Sequence, residues 1–427
     1  MDSDKDDNGL FLARDCLTGM VALYSQETGA PAANQSENIS DNIASAGSDV
    51  NCRDDTKVEH DDATKDISNG YGINEKDESS EIPFIGPGLI DLQINGVNGI
   101  DFNSAELSQK DLLSAANYLL SRGVTTFYPT VITNSVKKTI AILSGFNRAC
   151  NSNPLLERCI GGIHLEGPFI SKINGYRGAH NRKFVRAPDM KLFKKFQDAS
   201  GGRVRIISLS PEWDNAVDFV REVVKEGVIV GIAHSAATSG QVDGAVSAGA
   251  RLASHLGNAV PVVLPRHANI IFDQLANNKL FASLIADGFH LPGPFMKIAI
   301  KVKGRKTILV SDATCFAGMK PGEYKAHIGG DVVLSENGRL QMKEGGGLLA
   351  GSAKLLTDNI EYLIGSSLAD LSRAWYMASS APCRLLELDK NAGNIIENDR
   401  VVFRLEDGKI IICKIYKNGE SITLPQC

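Results

Sequence analysis

From about residue 86 the chain alternates two apolar patterns. Short runs of β-branched and aliphatic residues, five to nine long, are followed by segments in which apolar positions recur every three and four residues. The first pattern fits a strand buried on both faces, the second a helix with one buried stripe. The strand candidates are residues 88–94, 124–132, 159–166, 204–210, 227–234, 251–255, 281–287 and 306–312. Between them lie helical stretches such as AELSQKDLLSAANYLLSRG and EWDNAVDFVREVVKEG, each closed by a glycine that can take the left-handed turn at a helix end. Strand then helix, eight times over about 225 residues, predicts an α/β fold: a (β/α)8, TIM-like barrel. A doubly wound sheet would want a glycine-rich phosphate turn after its first strand, and QINGVNG is not one.

The flanks read differently. GSAKLLTDNIEYLIGSSLADLSRAWYMASSAPCRLLEL supplies two or three helices, and the tail NAGNIIENDRVVFRLEDGKIIICKIYKNGE alternates like a small antiparallel sheet. Such a sheet needs cover for its apolar face. The strand-like start, GLFLARDCLTGMVALYS, is the natural partner, giving a small β-sandwich domain built from both termini. The expected division is 1–29 for the N-terminal strands, 30–82 for a polar insertion, 83–390 for the barrel and 391–427 for the C-terminal strands. The insertion is rich in Ser, Asn, Asp and Gly and nearly free of aromatics. It cannot bury enough apolar surface to offset its ordering entropy, so disorder is expected.

Four polar residues close barrel-strand candidates: Glu166 in CIGGIHLEGP, His234 in GVIVGIAHS, His255 in RLASHLGNA and Asp312 in KTILVSDAT. A charge or imidazole at the end of a buried strand needs a partner that offsets its desolvation. Parallel barrel strands converge at their carboxyl ends, so residues far apart in sequence can share one ion there. One carboxylate and two imidazoles, with a position left for water, is the donor set of a catalytic divalent metal. Asp312 is then placed for acid/base work beside it. His164 lies two residues before Glu166, on the same strand face, as a neighbour of the site or an inward barrel residue. His267 and His327 are expected at the surface, and His60 falls in the insertion.

Composition narrows the setting. The chain has 427 residues, 43% of them hydrophobic, enough for one large core and a small one. No stretch approaches the roughly 18 to 20 apolar residues of a membrane span. The opening MDSDKDDNG is acidic where a signal or transit peptide would be basic, so a cytoplasmic location is expected. Eight scattered cysteines without a CxxC pair suit free thiols. The net charge of −5 hides an asymmetry: residues 1–80 hold 18 acidic and 6 basic side chains, the rest 32 acidic and 39 basic. The body is mildly cationic. No Lys/Arg cluster interleaved with aromatics is present, which argues against nucleic acid as a partner.

The motifs PGLIDLQINGVNGIDF, GVTTFYPTVIT, HLEGPFI, SLSPE, GIAHS, SHLGNA, IADGFH, VSDAT and LLAGSA, in that order over about residues 83–415, resemble N-acetylglucosamine-6-phosphate deacetylases of the amidohydrolase superfamily. The resemblance implies that Glu166, His234 and His255 are the metal ligands and Asp312 the catalytic acid/base. It also implies substrate contacts at Ala179 and His180, at Asn258, Ala259 and Arg266, at His290, and at Leu349, Ala350 and Gly351. Most amidohydrolases carry a His-x-His pair on the first strand for a second metal. Here Gln93 and Asn95 stand in those places, the exchange seen in single-metal deacetylases of the family, so one divalent ion per subunit is expected, with zinc favoured and iron open. An amino-sugar phosphate as substrate, hydrolysis of its N-acetyl group and a homodimer are further expectations. A related sugar phosphate such as N-acetylgalactosamine 6-phosphate is the alternative substrate, and a non-catalytic binding member of the fold is the alternative class. PVVLPRHANIIFDQLANN, between Asn258 and Asp287, departs from the family's commonest form.

Overall fold

The computed structural model describes residues 10–32, 82–326, 330–344, 347–386 and 398–423. The expected disordered insertion and His60 therefore lie almost wholly outside the described residues, as does His327.

Eight parallel strands form the barrel: Leu89–Ile94, Val124–Ile132, Ile163–Glu166, Val204–Leu209, Ile229–Ile232, Leu252–Ala253, Phe281–Leu284 and Thr307–Leu309. They are hydrogen-bonded in sequence order. The seam between the first and the eighth is bridged where Asp312 N–H donates to the Gln93 carbonyl at 2.9 Å and Ile94 pairs with Ala313. The barrel is thus a TIM-like (β/α)8 barrel. The strands are shorter than the apolar runs suggest, because the chain leaves the sheet just before several of the polar ends. The third strand also starts later than residue 159, since Pro154–Cys159 is a helix capped by the Asn153 side chain.

The helices follow their local signals. Gln109–Ser121 opens with a capping box between Ser108 and Asp111 and buries Leu112, Ala115, Ala116, Leu119 and Leu120, one face at helical spacing. Met190–Ser200 ends at Gly201, whose φ of 65° is the left-handed C-terminal turn. After the eighth strand the three helices Leu356–Gly365, Leu371–Ala378 and Ser380–Leu386 follow. The last of them closes the lower end of the barrel: Ala381, Leu385 and Leu386 pack on Ile90, Ile206, Leu252, Phe281 and Ile308. A three-stranded sheet, Gly322–Lys325, Asp331–Leu334 and Leu340–Met342, precedes these helices and is not evident from the apolar pattern.

The terminal segments meet in one six-stranded sheet, ordered Glu420–Ile422, Lys409–Lys417, Arg400–Glu406, Phe84–Pro87, Leu10–Asp15, Val21–Ser25. Phe84–Pro87 belongs to this sheet and leads straight into the first barrel strand. Trp375 stacks on Phe403 at 4.2 Å and donates its indole N–H to the Pro87 carbonyl. Lys417 and Asp399, both fully buried, pair at 2.7 Å, and Lys417 also donates to Thr126 of the second barrel strand. No helix among the described residues is long and apolar enough to cross a membrane.

Removing one partner of that buried pair leaves an uncompensated charge. Lys417→Met should lower unfolding free energy by about 3–5 kcal/mol in urea denaturation; a loss under about 1 kcal/mol would contradict the account of how the sheet is tied to the barrel.

Candidate metal centre

Glu166 is the last residue of its strand, but His234, His255 and Asp312 lie two or three residues beyond theirs. All three take left-handed backbone angles, with φ of 48°, 34° and 45°. Such angles cost non-glycine residues on the order of 1–3 kcal/mol each and persist where surrounding contacts over-determine them. Here they turn each side chain over the mouth of the barrel.

The Glu166 carboxylate is the centre of the cluster. Its Oε1 lies 2.9 Å from His255 Nε2 and 3.5 Å from His234 Nε2, and its Oε2 lies 3.6 Å from His180 Nε2. All four residues are buried or nearly so. Burial alone would raise the Glu166 pKa, but the surrounding imidazoles, His180 foremost, overcome it and hold the carboxyl well below its ordinary value. Burial, with the neighbouring His180, pushes His234 down to about 4. For His255 burial favours the neutral ring, yet the Glu166 carboxylate outweighs it and shifts the pKa upward.

Hydrogen bonds decide which ring nitrogens face the centre. His234 Nδ1 sits 3.1 Å from the Tyr176 carbonyl, which can only accept, so Nδ1 carries the proton and Nε2 offers a lone pair. His180 shows the opposite tautomer: the Thr133 backbone N–H points at its Nδ1 at 3.4 Å, with the Thr133 hydroxyl at 2.9 Å, so the proton is on Nε2. His180 is therefore a donor to the site and no metal ligand. His255 Nδ1 is buried without a partner among the described residues. The donor atoms of Glu166, His234 and His255 all lie within 4.8 Å of one another, a span that a single ion with bonds of about 2 Å can bridge. The residues fit a divalent metal.

Gln93 and Asn95 complete the floor. Gln93 Nε2 donates to Glu166 Oε1 at 2.8 Å and to Asp312 Oδ1 at 3.3 Å, and Asn95 Nδ2 donates to Asp312 Oδ1 at 2.7 Å. Both amides present N–H to carboxylates, and Asn95 Oδ1 is buried without a partner among the described residues. Burial, then the nearby Glu166 charge, pushes Asp312 up to about 6, close to where an acid/base group works best near neutral pH.

No family model matches the chain. It is similar to N-acetylglucosamine-6-phosphate deacetylase of Bacillus subtilis (strain 168), 34% identical over 280 residues, 65% of this chain and 69% of that protein. The Bos taurus N-acetylglucosamine-6-phosphate deacetylase is 30% identical over 352 residues, covering 79% and 83%. The chain belongs to the N-acetylglucosamine-6-phosphate deacetylase family. Among solved structures, the Mycobacterium smegmatis N-acetyl-D-glucosamine-6-phosphate deacetylase, a mutant in complex with N-acetyl-D-glucosamine-6-phosphate, superposes with a TM-score of 0.69 at 25% identity, covering 80% of this chain and 87% of that one.

The positions expected to contact a deacetylase substrate are distributed around this centre. His180 is in it, and Ala179 precedes it in the same loop. Asn258 follows His255 by one turn, its N–H donating to the His255 carbonyl, and its side-chain nitrogen is buried with no partner among the described residues. Ala259 has a φ of 52° and packs near Gly178 and His234. His290 is held by Asp287 at 2.7 Å. Leu349, Ala350 and Gly351 run into Ser352, which pairs with Ala313 beside Asp312. Arg266 stands apart, exposed on its loop. His164 points into the barrel, its ring between the Leu92 carbonyl at 3.0 Å and Ser208 Oγ at 2.7 Å. Sequence reasoning assigned no role to Thr133 or Glu212, although both sit in the quoted motifs. Tyr176 acts through its carbonyl, which no sequence pattern shows.

Below the site, Asp91 is fully buried, accepting N–H groups of Gln93 and Ser311 through Oδ1. Burial pushes its pKa up to about 7 against those hydrogen bonds. A carboxyl raised on folding binds its proton more tightly in the folded state. Its contribution to stability is full below about pH 4 and is lost as pH rises through about 7. The unfolding free energy of Asp91→Asn relative to the parent should therefore rise by a few kcal/mol between pH 4 and pH 8. A pH-independent difference would show that Asp91 is ionised throughout.

Proposed function

We propose that this chain hydrolyses the acetamido group of N-acetylglucosamine 6-phosphate, giving glucosamine 6-phosphate and acetate. The observation that carries the reading is the convergence of Glu166, His234 and His255 into one donor set beside the Asp312 carboxylate, which Gln93 and Asn95 hold in place. Family membership supplies the substrate.

Glu166, His234 and His255 would hold a divalent ion, which when bound would supply Lewis-acid polarisation and lower the pKa of water. The chain's own groups do the rest. Asp312, oriented by the amides of Gln93 and Asn95, takes a proton from the attacking water and later delivers it to the departing amine nitrogen. His180 directs its Nε2–H into the site, where it can donate to the oxygen that gains charge as the carbonyl becomes tetrahedral. Thr133 keeps that proton on Nε2.

One ion per subunit, zinc by preference, is part of the same proposal. Its support is that Gln93 and Asn95 turn N–H groups toward carboxylates where a second ion would need lone pairs. Homodimerisation is proposed as well: the exposed loop bearing Val262, Val263 and Arg266 suits contact with a second copy that shares the phosphate site. A cytoplasmic setting accords with the free cysteines and the small-molecule substrate. The intact donor set disfavours a non-catalytic binding role.

Metal-loaded protein should release acetate from N-acetylglucosamine 6-phosphate far faster than from the unphosphorylated sugar. Asp312→Asn should keep its metal and fold while turnover falls by about three orders of magnitude or more. Acetate release by that variant within about tenfold of the parent would remove Asp312 from the role. Faster turnover of N-acetylgalactosamine 6-phosphate would reassign the sugar.

A further inference from the structure

The fourth barrel strand lies between the strands that carry Glu166 and His234, yet it supplies no ligand. Its loop supplies Glu212 instead. The Glu212 Oε1 accepts the Ser171 hydroxyl at 2.9 Å, and Oε2 accepts the Ala236 backbone N–H at 2.9 Å and the Ser210 hydroxyl at 2.8 Å. Its backbone carbonyl accepts Gln241 Nε2 at 3.2 Å. Ser171 is five residues past Glu166, and Ala236 two past His234. Ser171 also donates its backbone N–H to the His234 carbonyl at 2.9 Å. One carboxylate thus joins the loops that follow two ligands, and it fixes the chain leaving the left-handed residue His234 twice, directly at the Ala236 N–H and through Ser171 at the His234 carbonyl.

We propose that Glu212 is a positioning residue for the metal centre: it clamps the loop after Glu166 to the loop after His234 and so holds the His234 backbone in the left-handed turn that aims its Nε2 at the Glu166 carboxylate. The inference rests on the reading of Glu166 and His234 as ligands. The chemistry suits a carboxylate in particular. It is acceptor-only, and here three donors from three segments converge on two oxygens. A glutamine keeps one such oxygen, and an alanine keeps none. Glu212 touches no ligand side chain, so its effect reaches the site through the backbone geometry of His234.

The test compares Glu212→Ala, Glu212→Gln and Ser171→Ala with the parent by chelator competition for zinc and by the visible absorption of the cobalt-loaded protein. Glu212→Ala should bind zinc about 10- to 100-fold more weakly, the range found when groups that orient metal ligands are removed. It should show an altered cobalt spectrum and a lowered kcat with KM within about twofold. Glu212→Gln should recover part of the affinity. Glu212→Ala combined with Ser171→Ala should be little worse than Glu212→Ala alone, because both cut the same link. Parental zinc affinity and cobalt spectrum in folded Glu212→Ala would overturn the proposal, as would full additivity in the double variant. If Glu212→Ala does not fold, Ser171→Ala decides: weakened zinc binding supports the clamp and parental binding overturns it. Loss of zinc in His255→Ala is the control for the ligand reading itself; zinc retained there at parental affinity would sink that reading and leave Glu212 without a role.

Discussion

A carboxylate buried among imidazoles at the mouth of a barrel is the constraint on which the rest of this structure depends. Glu166 is removed from water, and its charge is sustained by N–H groups of His180, His255 and the amide of Gln93. Each of those groups comes from a different part of the chain. Their convergence requires the barrel to close in register, because Gln93 and Asp312 flank the seam between the first and last strands. The hydrogen bond from Asp312 N–H to the Gln93 carbonyl belongs at once to the fold and to the site.

The left-handed angles at His234, His255 and Asp312 are the local cost of that arrangement. A strand continued in extended geometry would send alternate side chains inward and outward, and none would turn across the mouth. Ending each of these strands two or three residues early lets a side chain lean over the barrel. The strain is held by contacts that have no part in bond making or breaking, such as Ser283 Oγ accepting the His255 N–H at 2.7 Å and Ser171 donating to the His234 carbonyl.

Much of this was legible in the sequence. Buried parallel strands carry continuous apolar runs, so the eight strands and the polar residue closing each of four runs are visible in the sequence alone. What the pattern could not give was where hydrogen bonding stops, since ASH and VSD read as strand continuations although the chain turns at His255 and Asp312. Phe84–Pro87 read as a lead-in to the barrel, and its pairing with both termini is a long-range fact. The three-stranded sheet at 322–342 is built from strands of three or four residues, too short for alternation to stand out. Tautomers were also hidden: His180 and His234 look alike in sequence and differ only because one faces a backbone N–H and the other a backbone carbonyl.

The proposal at the centre of this account is one metal ion, held by Glu166, His234 and His255, with amide donors in the place of a second. Anomalous diffraction at the zinc edge, collected from crystals of the zinc-loaded protein, tests it most directly. The account predicts a single peak per subunit, within bonding distance of Glu166, His234 and His255. A second peak between Gln93 and Asn95, or a single peak away from Glu166, would contradict it.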